Sequence, residues 1–206
     1  DRCNIGQWEC PDLIRLPYKD GEKWVLIVSN NPGGPVGGSG TEYFIGDFDG
    51  ESFTAMDLDY PLWLDYGADN YAGVTWSNMP DSRAVMIGWM NNWNYSGDVP
   101  CNPWRSAMTL PRELTLQEVN GSPLLATTVV KEMEAIAGEW NVSNDGIGDA
   151  WEARFNIDLT TNSVFRLENS YGQYMEVEVN AAARKLIVKR TSTTGAVSYT
   201  HLRAHE

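Results

Sequence analysis

Histidine is nearly absent from the chain, and its scarcity excludes several kinds of catalysis. Both histidines among the 206 residues, His201 and His205, lie in the last six positions. A Ser-His-Asp or Cys-His mechanism therefore has no base in the rest of the chain. The three cysteines show no CxxC spacing and have no histidine nearby. The sequence thus predicts no zinc site and no disulfide framework, and acid–base chemistry is left to Asp and Glu.

Basic residues and long apolar runs are also scarce. Fifteen Lys and Arg stand against 28 Asp and Glu, which gives a formal net charge of −13. A chain this acidic is repelled by phosphate backbones, so we expect no nucleic-acid partner. No apolar run is long enough to span a bilayer, and we expect no membrane partner. The hydrophobic share of 42% excludes a disordered tail.

Acid, tryptophan and glycine are concentrated in the first half of the chain. Residues 1–104 hold fifteen of the acidic side chains, seven of the nine Trp and thirteen of the nineteen Gly. Carboxylates can hold sugar hydroxyls, and indole faces can cover the apolar C–H faces of sugar rings. This composition indicates a carbohydrate site. The alternative is an aromatic-rich β core under an acidic surface.

The pattern along the chain predicts an all-β fold. Residues 23–28 form a short apolar run, and residues 41–54 form a hairpin pattern around an Asp-Gly turn. Residues 73–77 and 83–90 are predicted to form the next strand pair. The character changes near residue 120, and alternating strands follow at 173–179 and 185–189. We therefore predict one domain at 1–119, a β-sandwich at 120–195 and a tail at 196–206.

Three segments could carry chemistry. Residues 8–13 read Trp-Glu-Cys-Pro-Asp-Leu, and apolar neighbours on both sides of Glu9 would raise its carboxyl pKa, as a general acid needs. Residues 63–73 place two carboxylates and two phenols in a glycine-containing loop. Their alternative is an Asx-type turn between strands. Residues 87–95 end a strand in a loop rich in Trp and Asn, where Trp89 is either the floor of a sugar subsite or a core residue.

In this order, these segments resemble the glycoside hydrolase family that contains invertases, levanases and exo-inulinases. Glu-Cys-Pro-Asp at 9–12 is similar to the family's acid–base motif. Further similar segments are Asp-Tyr-Gly at 65–67, Gly-Trp-Met-Asn-Asn-Trp at 88–93 and Pro-Trp-Arg-Ser-Ala-Met at 103–108. Residues 180–190 resemble a strand pair in the family's C-terminal sandwich. The resemblance covers roughly residues 5 to 195, and the stretch 75–114 is most like the exo-acting levanase and inulinase branch.

The resemblance implies a five-bladed β-propeller followed by a β-sandwich, of which this chain has the later blades and a sandwich that is cut short. It implies hydrolysis of terminal β-D-fructofuranosides in levan, inulin or sucrose with retention, and no metal or organic cofactor. Glu9 matches the acid–base position. The residues assigned to the fructose-binding subsite are Asp65, Trp89, Asp69, Tyr71 and Trp93. Three further residues are assigned supporting roles: Cys10 beside the acid, Asp12 to orient Glu9 or cap a turn, and Arg105 to pair with a loop carboxylate.

The sequence departs from the family pattern in one respect. The family's nucleophile lies in an Asn-Asp-Pro-Asn motif, and an Arg-Asp-Pro motif stabilises the transition state. Neither motif occurs in the 206 residues. Because both belong upstream of Glu9, the sequence resembles a fragment without the nucleophile region, and we expect it to be inactive alone. The alternatives are a fructosyltransferase of the same fold and a sugar-binding remnant without turnover.

Two further expectations concern the chain's surroundings and its end. Fructan polymers lie outside cells, so the substrate class predicts a secreted or periplasmic protein. Residues 196–206 break the strand pattern and resemble translated adapter sequence, which predicts a non-native tail. The alternative for that tail is a genuine terminal strand. The sequence gives no indication of the oligomeric state.

Overall fold

The computed structural model describes residues 6–99, 103–139, 152–154 and 156–190, together with the backbone of residues 198–203. The all-β prediction is confirmed. Thirteen strands form three antiparallel sheets in the described residues, with only the short 3₁₀ helices Ser96–Asp98 and Lys131–Ala135 between them.

The first sheet contains five strands in the order β1-β2-β3-β4, with β5 pairing on β3. Their bounds are β1 Gln7–Tyr18, β2 Gly21–Asn31, β3 Gly40–Phe48, β4 Phe53–Ala55 and β5 Leu62–Trp63. The predicted strand at 23–28 lies within β2, and the predicted hairpin is formed by β3 and β4. In its turn, Asp49 Oδ1 accepts hydrogen bonds from the backbone N–H groups of Glu51 and Ser52, both at 2.8 Å. Gly50 in the same turn has φ +103°, which favours glycine.

Strand β3 is the centre of this sheet. Every residue from Gly40 to Gly46 is buried. The strand pairs with β2 on one edge and with β4 and β5 on the other. It is therefore covered on both faces, and two polar side chains of this strand, Thr41 and Glu42, are buried with the apolar ones.

The second sheet has the order β6-β7-β8-β9. Its strands are β6 Tyr71–Thr75, β7 Ala84–Trp89, β8 Arg112–Val119 and β9 Ser122–Val129. The predicted strand pair at 73–77 and 83–90 corresponds to β6 and β7. Arg83, just before β7, forms ion pairs with Glu113 of β8 and Glu132 of the second 3₁₀ helix, at 3.3 and 2.5 Å. These ion pairs link the start of β7 to the far end of the sheet.

One hydrophobic core lies between the first and second sheets. Its buried members come from both sheets and their loops: Leu16, Val25, Ile27, Tyr43, Ile45, Leu62, Leu64, Met86 and Leu114. The Tyr43 hydroxyl accepts a hydrogen bond from the Leu125 backbone N–H at 3.2 Å, and the Tyr18 hydroxyl donates to Glu118 at 3.1 Å. Antiparallel sheets packed in this way are neighbouring blades, so this part of the chain is an open, partial β-propeller.

The third sheet has the order β10-β11-β12-β13. Its strands are β10 Ser163–Glu168, β11 Tyr174–Asn180, β12 Lys185–Arg190 and β13 Ser198–Arg203. It supplies one layer of the predicted sandwich. The predicted tail at 196–206 includes β13, which pairs with β12 along six residues. This pairing is the terminal strand named above as the alternative, and whether the tail is native stays a prediction. Residues 191–197 and 204–206 lie outside the described residues.

The predicted domain boundary near residue 120 falls inside a hairpin. Asn120 and Gly121 form the turn between β8 and β9, and both have positive φ. The two strands pair from Val119–Ser122 to Arg112–Val129 within one sheet. A boundary at 119 would remove the edge strand of this blade. We therefore propose that the propeller part extends through Val130 and that the sandwich part begins beyond it.

Truncation of Leu114 tests the shared core. Leu114 lies on β8, is 2% exposed and packs with core residues of the first sheet. We expect Leu114→Ala to lower the free energy of unfolding by about 2–5 kcal/mol, because it leaves a cavity between the sheets. Urea unfolding gives the value. The control Leu110→Ala removes a side chain that is 50% exposed and should change stability by no more than about 0.5 kcal/mol. Equal losses in both variants would contradict a core shared by the two sheets.

Candidate active site

Glu9 lies on β1 beside a β-bulge. Pairing with β2 runs from Gln7–Asn31 to Glu9–Ser29 and resumes at Asp12–Ile27, so two residues of β1 oppose one of β2. Cys10, in the bulge, has φ +48°. Because the bulge adds one residue, it places Glu9 and Asp12 on the same face of the strand despite their odd spacing. Both side chains reach β6 of the second sheet.

The Glu9 carboxylate is held by Tyr71, the first residue of β6. The Tyr71 hydroxyl donates a hydrogen bond to Glu9 Oε2 at 2.6 Å. Tyr71 is 2% exposed, whereas Glu9 is exposed. The apolar neighbours of Glu9 in the sequence therefore do not enclose its side chain. Burial, and then the hydrogen bond to Glu9, raises the pKa of the Tyr71 phenol well above its ordinary value. Tyr71 thus remains a donor at neutral pH.

Ser29 fixes the backbone on both sides of this hydrogen bond. It is the cross-strand partner of Glu9 on β2 and is 1% exposed. Its Oγ accepts a hydrogen bond from the Ala72 N–H at 3.0 Å. Ala72 follows Tyr71 and has φ +50°, at an irregularity of β6. Glu9 and Tyr71 are therefore positioned by a second contact between the same two sheets.

Two indole rings continue the chain of ring contacts that begins at Tyr71. The Trp89 ring lies 6.3 Å from the Tyr71 ring in an edge arrangement and 5.1 Å from the Trp93 ring. Trp89 Nε1 donates to Ser106 Oγ at 2.6 Å, which fixes the indole on the segment that follows. Trp93 is 59% exposed. The exposed indole of Trp93 is therefore connected to Tyr71, the partner of Glu9, through the ring of Trp89.

Asp12 has a positioning contact of a different kind. Its Oδ2 accepts hydrogen bonds from the Thr75 backbone N–H at 2.8 Å and from the Thr75 hydroxyl at 2.7 Å. Asp12 therefore ties β1 to the end of β6, as Glu9 contacts its start. No hydrogen bond joins Asp12 to Glu9 in the described residues, and an orienting role of Asp12 toward Glu9 stays a prediction.

The two loop aspartates are engaged by the protein itself. Asp65 Oδ1 accepts from the Gly67 N–H at 2.6 Å, and Asp65 Oδ2 lies 2.8 Å from Arg112 Nη1. The first contact is an Asx turn, so the geometry favours the structural alternative for Asp65. Asp69 accepts a hydrogen bond from the Tyr95 hydroxyl and pairs with Arg190 at 2.5 Å. Their predicted contacts with sugar stay predictions.

The remaining predicted residues lie at the surface. Cys10 is exposed and carries a free thiol, which differs from the alternative of a small buried filler. Arg105 is exposed and forms no ion pair with another described residue, so the predicted partner carboxylate is not found there. The other two cysteines, at 3 and 101, lie outside the described residues.

Sequence reasoning missed Asn92, which organises the loop that carries Trp93. Asn92 is 1% exposed, and its Nδ2 donates to the carbonyl of Ala68 at 2.8 Å and of Gly37 at 3.2 Å. Its Oδ1 accepts from the Asn94 N–H at 3.0 Å. A Cβ at Gly38 would lie 2.1 Å from Asn92 Oδ1, so glycine is required there. The Asn-rich loop was visible in the sequence, but its contact with Gly37 and Gly38 was not.

No group of three or more metal-ligating side chains occurs within the described ranges. The helices among those same residues include none long and apolar enough to cross a membrane.

The partial propeller thus carries an accessible carboxylate held by a phenol, with an exposed indole in the same group of side chains. Residues 1–127 match the family model described as the glycosyl hydrolases family 32 N-terminal domain. The chain belongs to this family, glycoside hydrolase family 32, as its motifs predict.

Relatives and solved structures agree with this assignment. The chain is 40% identical to a levanase of Bacillus subtilis over 91% of its length, and 37% identical to the extracellular exo-inulinase inuE of Aspergillus niger over 92%. It covers 31% and 37% of those proteins, so it spans about a third of the curated relatives it matches. The crystal structure of an exo-inulinase from Aspergillus awamori superposes with a TM-score of 0.79 at 27% identity, covering 98% of this chain and 46% of that one.

Removal of the Asp12 carboxylate tests its positioning contact. In Asp12→Ala, the Thr75 N–H and hydroxyl lose their acceptor, and we expect the free energy of unfolding to fall by about 1–3 kcal/mol. Asp12→Asn keeps one acceptor oxygen and should lose less. Asp57→Ala, at an exposed loop position, is the control and should be near neutral. Urea unfolding compares the three, and an Asp12→Ala variant as stable as the control would contradict the contact.

Proposed function

We propose that the protein carrying this chain hydrolyses terminal β-D-fructofuranosides with retention, and that Glu9 is its acid–base residue. The observation that carries this proposal is the Tyr71–Glu9 hydrogen bond, at 2.6 Å, because it joins the acid–base motif to the aromatic group across two blades. Glu9 is also exposed. A residue that exchanges protons with substrate and water must be accessible to both.

The chain supplies one half of a double displacement. In a retaining glycosidase, two carboxyl groups about 5–5.5 Å apart act as nucleophile and as acid–base. Glu9 would protonate the leaving oxygen and then take a proton from the attacking water. Tyr71, which stays protonated, holds one carboxylate oxygen and leaves Oε1 for the reaction. Trp89 and Trp93 would contact the apolar face of a sugar ring.

The two described carboxylates that could be compared with a nucleophile are engaged by other groups. Asp12 shares the face of Glu9, but its Oδ2 is occupied by both Thr75 donors. Asp65 is bound by Arg112 and the Gly67 N–H. We therefore propose that the nucleophile belongs to an Asn-Asp-Pro-Asn segment outside these 206 residues, and that this chain alone does not hydrolyse fructosides.

The relatives support fructans or sucrose as substrates. Two of them are named levanase and extracellular exo-inulinase, and a related fructofuranosidase structure holds fructosylnystose. These names favour terminal fructosyl units of levan or inulin as the substrate class and a location outside the cell. We propose a secreted or periplasmic enzyme with no cofactor.

A chimera tests the role of Glu9. We expect the isolated chain to release no fructose from levan or sucrose, and a fusion behind the preceding part of the Bacillus subtilis levanase to release it. In that fusion, Glu9→Gln should lower kcat on levan by about 10²–10⁴-fold, the usual contribution of a general acid. On an aryl fructoside, Glu9→Gln should slow the first step, formation of the fructosyl-enzyme, much less than on levan. The aryl leaving group departs without being protonated.

Glu51→Gln, at an exposed turn position, is the control for this fusion and should retain full activity. Hydrolysis by the isolated chain that is lost in Glu9→Gln would contradict the missing nucleophile. Equal losses of kcat/KM, which reports the first step, on levan and on the aryl fructoside would contradict the acid role. Preferential transfer of fructosyl units to sugar instead of water would contradict a hydrolase and favour the transferase alternative.

Trp93 tests sugar binding by the chain itself. We expect Trp93→Ala to weaken binding of a levan oligosaccharide by about 2- to 12-fold, since aromatic contacts contribute about 0.5–1.5 kcal/mol. Calorimetric titration measures the dissociation constant. Trp76→Ala removes another exposed indole, 46% exposed, that has no ring contact with Trp89, and should bind like the parent. Equal effects in both variants would contradict a specific aromatic subsite.

A further inference from the structure

Arg190 connects the third sheet to the propeller. It is the last residue of β12, and its Nη2 lies 2.5 Å from Asp69 Oδ2 and 2.8 Å from the Tyr95 hydroxyl oxygen. Asp69 precedes β6 of the second sheet, and Tyr95 follows β7. A single guanidinium therefore bonds two loops of one blade from a strand that belongs to another sheet.

The three side chains form a closed set of contacts. The Tyr95 hydroxyl also donates to Asp69 Oδ1, so the carboxylate accepts from the phenol on one oxygen and from the guanidinium on the other. The guanidinium carbon lies 5.7 Å from the Tyr95 ring centre. The Asp69 side chain is only 17% exposed. Loss of Arg190 would leave a partly buried carboxylate with the phenol as its remaining partner.

Each propeller member of this set is two residues from the candidate site. Asp69 is followed by Asn70 and Tyr71, and Tyr71 holds Glu9. Tyr95 is preceded by Asn94 and Trp93, which contacts the Trp89 ring. Asp69 and Tyr95 thus fix the ends of the two segments that carry the phenol and the exposed indole. Arg190 closes the gap between these segments from outside the blade.

We propose that Arg190 is a positioning residue for the fructoside site, so that the third sheet sets the geometry of Trp93 and Tyr71 without touching the sugar. This inference rests on the proposed function for its ligand. The part of the proposal that concerns structure is that Arg190 orders the segments carrying Tyr71 and Trp93. This part can be tested without any ligand.

The third sheet offers a closely matched control. Arg166 is 42% exposed at its side chain, against 47% for Arg190. It pairs with Glu168 at 3.0 Å and lies over the Tyr174 ring at 3.7 Å. All its partners belong to the third sheet. Arg166→Gln therefore removes a similar ion pair and ring contact without affecting the propeller.

The first experiment is hydrogen exchange of the whole chain. We expect Arg190→Gln to speed amide exchange at 68–71 and at 91–96 by about fivefold or more, while Arg166→Gln leaves both segments unchanged. Tyr95→Phe keeps the Asp69–Arg190 ion pair but removes the hydroxyl, so it should speed exchange at 91–96 only. Exchange in Arg190→Gln that matches Arg166→Gln at both segments would overturn the proposal. Urea unfolding of the same variants identifies a global loss of stability, for which exchange would rise in all three sheets.

The second experiment is calorimetric titration with a levan oligosaccharide. We expect at least about fivefold weaker binding in Arg190→Gln, the low end of coupling between linked sites, and parental binding in Arg166→Gln. Faster exchange with unchanged binding would overturn the role at the site. A parent chain that binds no fructoside would instead contradict the proposed function, and the exchange result would still decide whether Arg190 orders the two segments.

Discussion

The site depends on a seam of hydrogen bonds between strand β1 of the first blade and strand β6 of the second. Tyr71 holds Glu9 at one end of the seam, and Thr75 holds Asp12 at the other. The hydrophobic core brings the two sheets together, but apolar contacts are not directional and cannot set where a carboxylate lies. The polar seam does so. Its donors are a buried phenol, a backbone N–H and a threonine hydroxyl, none of which loses its proton near neutral pH.

Much of the fold could be predicted from the sequence, because strand periodicity and turn chemistry are local. The Asp49 turn between β3 and β4 is one case, since its side chain caps the backbone two and three residues on. The proposed shift of the domain boundary has a related reason. Asn120 and Gly121 are equally good as a linker and as a hairpin turn, and only pairing of β8 with β9 distinguishes the two.

The site was less predictable because its contacts join distant positions. Resemblance to a family identified Glu9, Tyr71, Trp89 and Trp93, and the structure brings these residues together. It did not show that Asp65 is occupied by Arg112, or that Asp69 is occupied by Arg190 from another sheet. An aspartate in a motif is written the same way whether it binds sugar or pairs with an arginine. Only its contacts in the structure distinguish the two roles.

The bulge at Cys10 carries a consequence for how activity could be lost in relatives. A regular β1 of equal length would keep its hairpin with β2 and its apolar face, yet it would turn Glu9 to the opposite side of the sheet, away from Tyr71. The letters Glu-Cys-Pro-Asp would be unchanged. A relative can therefore retain the acid–base motif and the stability of the blade while having no acid at the site, and a motif search would count it as an enzyme.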